Sequence, residues 1–107
     1  KYFSTSAPVT PGYLGCYNDV DAASDKDLNL ANTNQPAMTI ESCITYCLQN
    51  DYLYAGLQAG RNCYCGNSYG KHGKALDSDC NSKCAGSITE TCGGTLKNSI
   101  YSRKHVS

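Results

Sequence analysis

Cys43 and Cys47 stand four residues apart, whereas Cys63 and Cys65 stand two apart. Four residues make one helical turn, which sets both thiols on one helical face, one above the other by ~5.4 Å. Two residues make one strand repeat, which sets both thiols on one strand face ~6.6 Å apart. Two sulfurs on a helix can therefore face two on a strand and close two adjacent bridges. Such a chain is built by disulfides and belongs to an oxidising, extracellular compartment. The cysteine count is even, at eight, so no thiol need be left over as a nucleophile.

The remaining composition fits that reading. A chain of 107 residues makes one domain, and at that size it buries ~60–70% of its unfolded surface. Trp is absent, Phe and Met occur once each, and nine Tyr with the eight Cys must supply much of the core. Nine basic residues balance nine acidic ones without a run of like charge, which argues against nucleic acid or an anionic membrane surface as partner. No apolar stretch is long enough to span a bilayer, so no membrane contact is expected of this segment itself. The chain starts at Lys1 with no visible signal peptide and is read as a mature or excised segment of a larger chain. No Asn-x-Ser/Thr sequon is present.

Residues 1–11 are rich in Ser, Thr and Pro and are read as a linker, stalk or terminal tail; residues 103–107 are a polar tail. Between them, residues 12–102 form the domain. Tyr13 to Tyr17 reads as a first strand, and the polar segment from Asn18 to Pro36 as one long loop. Thr39 caps a helix from Ile40 to Gln49, whose buried face is Ile40, Cys43, Ile44, Cys47 and Leu48. Leu53–Gln58 and Asn62–Gly66 form a hairpin around Ala59-Gly60-Arg61. The strand directions then pair Cys43 with Cys63 and Cys47 with Cys65. A second short helix capped by Ser78 or Asp79 would carry Cys80 and Cys84, and Asn98–Ser102 closes the sheet. Cys16, Cys80, Cys84 and Cys92 allow three pairings, of which Cys80 with Cys84 is disfavoured.

These residues resemble a known family. Gly15-Cys16-Tyr17-x-Asp19 and Met38-Thr39-Ile40-Glu41-Ser42-Cys43-x-x-x-Cys47 are similar to the start of a WSC domain. Tyr54-Ala55-Gly56-Leu57 with Cys63-Tyr64-Cys65-Gly66-Asn67 is similar to its middle. Asp79-Cys80-Asn81-x-x-Cys84-x-Gly86, Thr91-Cys92-Gly93-Gly94 and Tyr101 are similar to its end. The resemblance implies the bridges Cys16–Cys80, Cys43–Cys63, Cys47–Cys65 and Cys84–Cys92. It further implies an α+β fold akin to PAN/apple modules, with an antiparallel sheet of about four strands against one main helix and a second short one. WSC domains occur in fungal cell-wall stress sensors, beside secreted carbohydrate-active enzymes and oxidases, and in some animal receptors. The family is generally regarded as carbohydrate-binding, with wall β-glucan a frequent suggestion.

A sugar site needs aromatic faces for C–H groups and planar polar side chains for hydroxyls, and tyrosine serves both. Tyr64 lies between Cys63 and Cys65, so strand alternation turns it to the sheet face away from the helix. Tyr54 on the neighbouring strand, Arg61, Asn62, Asn67 and Tyr69 around the hairpin, and Tyr17 with Asp19 complete the expected ligand-binding set. The acidic run Asn18-Asp19-Val20-Asp21 with Asp25 and Asp27 departs from a calcium loop, lacking its central Gly and terminal Glu, and is read as solvated. A zinc site is not expected either, because Cys63 and Cys65 are too close for usual ligand spacing and every cysteine has a place in the disulfide framework. His72 and His105 are the two side chains suited to act as bases near neutral pH, and both are read as solvated. No nucleophile elbow, P-loop or metalloprotease helix occurs. The expectation is therefore a non-catalytic module that needs no cofactor and binds cell-wall polysaccharide: β-glucan first, chitin or xylan next. The competing expectation is the ectodomain of a wall sensor or adhesion protein, acting by mechanical or protein contact.

Overall fold

The computed structural model describes residues 12–102. The linker expected at residues 1–11, the tail at 103–107 and His105 lie outside the described residues. Seven strands and one α-helix follow in chain order: β1 Gly12–Asn18, β2 Ala31–Asn34, α1 Ile40–Gln49, β3 Tyr54–Gln58, β4 Asn62–Gly66, β5 Lys83–Cys84, β6 Ser87–Thr91 and β7 Lys97–Ser102. Five of the strands make one antiparallel sheet in the order β1-β7-β3-β4-β2, and β5 pairs with β6 in a separate hairpin.

The helix begins where its capping chemistry dictates. The Thr39 hydroxyl accepts the Ser42 backbone N–H at 3.0 Å, and the Ser42 hydroxyl accepts the Thr39 N–H at 2.9 Å. This reciprocal pair satisfies two donors that a helix start leaves orphaned, an effect of about 1 kcal/mol. At the other end Asp51 takes a positive φ of 69° and reverses the chain into β3. The face so presented buries Cys43, Ile44 and Cys47 against Ala55, Leu57, Cys63 and Cys65 of the sheet.

All four expected bridges are present: Cys16–Cys80, Cys43–Cys63, Cys47–Cys65 and Cys84–Cys92. The two derived from matched helix and strand periods join α1 to β4. Cys16–Cys80 fastens β1, and Cys84–Cys92 staples β5 to β6. That hairpin in turn needs two glycines. A Cβ on Gly86 would collide with the Ala37 carbonyl, and Gly93 combines a φ of 72° with a backbone position pressed against the Leu57 carbonyl.

Four sequence expectations require correction. Leu48, read as part of the buried helix face, is exposed, and the face narrows to Cys43, Ile44 and Cys47 with Ile40 half-buried. The segment Asn18–Pro36 is not one loop, because Ala31–Asn34 pairs with β4 as a fifth sheet strand and Ala23–Asp25 forms a 3-10 turn. Its polar composition hides the strand, whose partner supplies the ladder hydrogen bonds. The second short helix is only a 3-10 turn, Asp77–Asp79, and it ends before Cys80 while Cys84 is extended in β5. The helical spacing of those two cysteines is coincidental, since each bridges to a different element. The edges of β3 and β7 shift by one residue, to Tyr54 and Lys97.

Candidate functional site

With the helix covering one face of the sheet, the opposite face carries the side chains that alternate with the core. On β4 these include Asn62 and Tyr64, and on β2 Asn32 and Asn34, paired directly as Asn32 with Tyr64 and Asn34 with Asn62. Tyr64 faces Gly56 on its other side, and the Asn98 side chain fills the space over that glycine. The loop between β1 and β2 folds over this face and places the fully buried Leu28 against Gly66. Between loop and sheet lies a cleft of about 240 Å³ lined by Ala23, Lys26, Leu28, Asn29, Asn32 and Tyr64. The Lys26 Nζ sits 5.0 Å from the centre of the Tyr64 ring, a cation over an aromatic face.

Lys26 is held there from below. Its Nζ lies 3.6 Å from Asp19 Oδ2 and 3.5 Å from Gln58 Oε1. The Asp19 side chain is wholly buried and is saturated with donors: Val20 N–H at 2.9 Å and Asp27 N–H at 3.0 Å on Oδ1, Gln58 Nε2 at 2.8 Å and Asn98 Nδ2 at 3.3 Å on Oδ2. Burial pushes its carboxyl up, yet the bonds from Asp27, Gln58 and Val20, with the Lys26 charge, outweigh that and hold it below the ordinary 3.8. A carboxylate so engaged reaches the cleft only through Lys26.

Six of the eight expected site residues fall into two groups, while Asp19 lies beneath Lys26 and Asn67 stands apart. Tyr64 lines the cleft, with Asn62 beside it on the same face, hydrogen-bonded to Asn34, and Arg61 exposed at the hairpin turn. Tyr17, Tyr54 and Tyr69 instead form an aromatic cluster, with Tyr69 5.2 Å from Tyr17 and 4.8 Å from Tyr54 in edge-to-face contacts. Lys74 Nζ stands 5.3 Å from the Tyr17 ring. Asn67 turns away to accept the Leu53 N–H at 3.0 Å and so fixes the start of the hairpin.

Asp25 and Asp27 of the first loop both tie it to residues 70–72. Asp27 accepts the N–H groups of Gly70 and Lys71 at 2.8 and 3.1 Å, tying the two loops together. Asp25 meets Lys71 Nζ at 3.2 Å and its backbone carbonyl meets His72 Nε2 at 2.7 Å, so His72 pins the same loop junction. The one close grouping of metal-ligand atoms among the described residues is Cys43, Cys47 and Cys63, and all three are consumed in disulfides.

Sequence reasoning missed Lys26, Asn29 and Asn32, because they stand in what reads as an undifferentiated polar loop. One signal was available: Ala31-Asn32-Thr33-Asn34 alternates small and amide side chains with the period of a strand.

Four bridges and a helix-backed sheet define a small, disulfide-built module of the extracellular or cell-surface kind. Residues 13–94 match the model of the WSC domain family, and the chain belongs to that family. It is 38% identical over 96 residues to Kremen protein 1 of Mus musculus, covering 88% of this chain and 20% of that protein. To Xylosyltransferase oxt of Drosophila melanogaster it is 40% identical over 97 residues, covering 82% of this chain and 10% of the other. A WSC domain-containing protein of Arthroderma benhamiae is 34% identical over 102 residues, covering 92% and 14% respectively. The chain thus spans a fifth or less of these relatives, in which the domain is one part of a longer protein. The relatives include animal and fungal proteins alike.

Proposed function

We propose that the chain is a non-catalytic carbohydrate-binding module that recognises cell-wall polysaccharide and so targets or anchors a larger secreted or cell-surface protein. β-Glucan is the first candidate, with chitin and xylan next. The observation that supports this reading is the Tyr64 cleft. It sets an aromatic ring beside the Asn29 and Asn32 amides and an ammonium, which together offer apolar surface for sugar C–H groups and donors and acceptors for hydroxyls. The cleft is shallow and polar, so binding exchanges water hydrogen bonds for sugar ones and is weak per module. Repetition of modules or of ligand sites would supply avidity.

The experiment is sedimentation of the purified chain with insoluble β-1,3-glucan, chitin and xylan, beside the variant Tyr64→Ala. Wild type is expected in the pellet with one polymer and the variant in the supernatant. Wild type in the supernatant with every polymer rejects the reading.

A second reading, a mechanical or adhesive ectodomain, is favoured by one feature. Gly12 and Ser102 are paired neighbours on β1 and β7, so tension applied there would unzip two strands. The Cys16–Cys80 bridge stands four residues in and would stop the zipper. Force spectroscopy with and without reductant distinguishes this role, because only the reduced chain should extend fully.

A further inference from the structure

The cleft holds one cation, and that cation is already matched. The Lys26 side chain is only 12% exposed, and its Nζ lies 3.6 Å from an Asp19 carboxylate that solvent does not reach. Asp19 in turn has no route to the ligand of its own, since Val20, Asp27, Gln58 and Asn98 occupy its oxygens. The remaining lining, Ala23, Leu28, Asn29, Asn32 and Tyr64, carries no formal charge at neutral pH. A ligand therefore meets an ammonium that can donate hydrogen bonds but whose charge is cancelled a few ångströms behind it. We infer that the buried Asp19 is a specificity-determining positioning residue: by neutralising Lys26 from within, it makes the cleft select uncharged polysaccharides over those bearing carboxylates or sulfates. This rests on the carbohydrate-binding reading above.

An acidic sugar entering the cleft would give up part of its hydration, and an unpaired lysine held against the sheet would compensate that loss. With Asp19 close behind, that compensation is largely offset by repulsion between the ligand's anion and the carboxylate. A neutral sugar loses little by the pairing, because Gln58 and Asp19 face two of the three ammonium donors and Lys26 keeps its place over Tyr64. The arrangement also fixes geometry: Asp19 and Gln58 together hold Lys26 over the ring, so its donors point from a set position.

The test compares each neutral polymer with its own carboxylated derivative: β-1,3-glucan with C6-oxidised β-1,3-glucan, chitin with C6-oxidised chitin, xylan with glucuronoxylan. At low salt the wild-type chain is expected to bind the neutral member about tenfold more tightly. Asp19→Asn is expected to shrink that preference to about threefold or less, through tighter binding of the acidic member that fades in 0.5 M salt as screening predicts. A merely structural role for Asp19 would weaken both members together and would create no salt-sensitive gain. Lys26→Gln, which leaves Asp19 unmatched, is expected to widen the preference several-fold, and it carries the test if Asp19→Asn does not fold. Equal wild-type binding to both members of a pair overturns this inference and leaves the carbohydrate reading intact. A preference unchanged in the folded variants does the same. Binding to no polymer at all overturns both.

Discussion

A carboxylate oxygen of Glu90 accepts the backbone N–H of Ile40 at 3.0 Å. Ile40 opens the helix and Glu90 lies in β6, so the hairpin supplies an acceptor that the helix start cannot provide for itself. The negative charge also sits at the positive end of the helix dipole. A second link, from the Gly86 N–H to the Met38 carbonyl at 2.7 Å, fastens the same two elements. Glu90→Ala should cost about 1–2 kcal/mol and Glu90→Gln less, since the amide oxygen still accepts. Urea midpoints measure both, and a midpoint for Glu90→Ala equal to wild type would refute the linkage.

Asp19 should shape the acid limb of stability. Its carboxyl titrates below 3.8 when folded, so its contribution is fully present above that value and is lost as pH falls through the lower, folded value. At neutral pH, Asp19→Asn leaves Lys26 without its counter-charge and should cost about 3 kcal/mol. The difference between wild type and variant should stay constant above about pH 5 and shrink below it. Melting temperatures across pH 2–7 give the answer; a gap that does not close in acid would contradict the assignment.

Tyr13 predicts a matching effect in alkali. Partial burial, then its hydrogen bond to Asp77 at 3.1 Å and the charge of that carboxylate, push the Tyr13 phenol from 10.0 up to about 12. Because the folded value lies above the unfolded one, the stabilisation is present below pH 10 and disappears as pH rises towards 12. Ultraviolet titration should show a tyrosine step near pH 12, later than the rest, and Tyr13→Phe should remove that latest step. Persistence of the step in the variant would assign it elsewhere, with Tyr101, raised by burial and by Glu90, the next candidate.

The four bridges should not be equal. Cys16–Cys80 closes 64 residues of sequence, Cys43–Cys63 and Cys47–Cys65 close 20 and 18, and Cys84–Cys92 closes 8. Loop entropy alone then ranks their removal at about 4, 3, 3 and 2.5 kcal/mol. Paired Cys→Ala substitutions, measured by denaturant unfolding, test the order. Cys84–Cys92 proving the costliest would show that strain or residual structure, not loop length, governs.

Much of the framework was legible in the residues. The helix begins after Thr39 and ends at Gln49 as read, because capping and apolar period are local properties. Asn62–Gly66 is likewise a strand with Tyr64 turned from the helix, since alternation follows from backbone geometry. The β5–β6 hairpin was obscured by the helix-like spacing of Cys80 and Cys84, although Ile88-Thr89-Glu90-Thr91 is rich in β-branched residues. β2 carried almost no apolar signal, and it is extended because β4 offers it partners.

The eight expected ligand residues divide on similar lines. Tyr64 turns from the helix as alternation required and there lines a cleft formed by the loop, whereas Tyr17, Tyr54 and Tyr69 gather into a cluster of their own. Asp19, at the end of the first strand, reads as a surface carboxylate until the loop folds over it.

Cysteine spacing, read with the capped apolar period after Thr39 and the hairpin around Gly60, determined which helix and which strand are locked together; Cys80 and Cys84 share the spacing but lack a helix to carry it. Only the tertiary structure decided that Lys26 covers Tyr64 and that Asp19 lies beneath them. These three residues are brought together by a loop crossing a sheet, and long-range closure of that kind depends on packing and buried hydrogen bonds that no local pattern encodes.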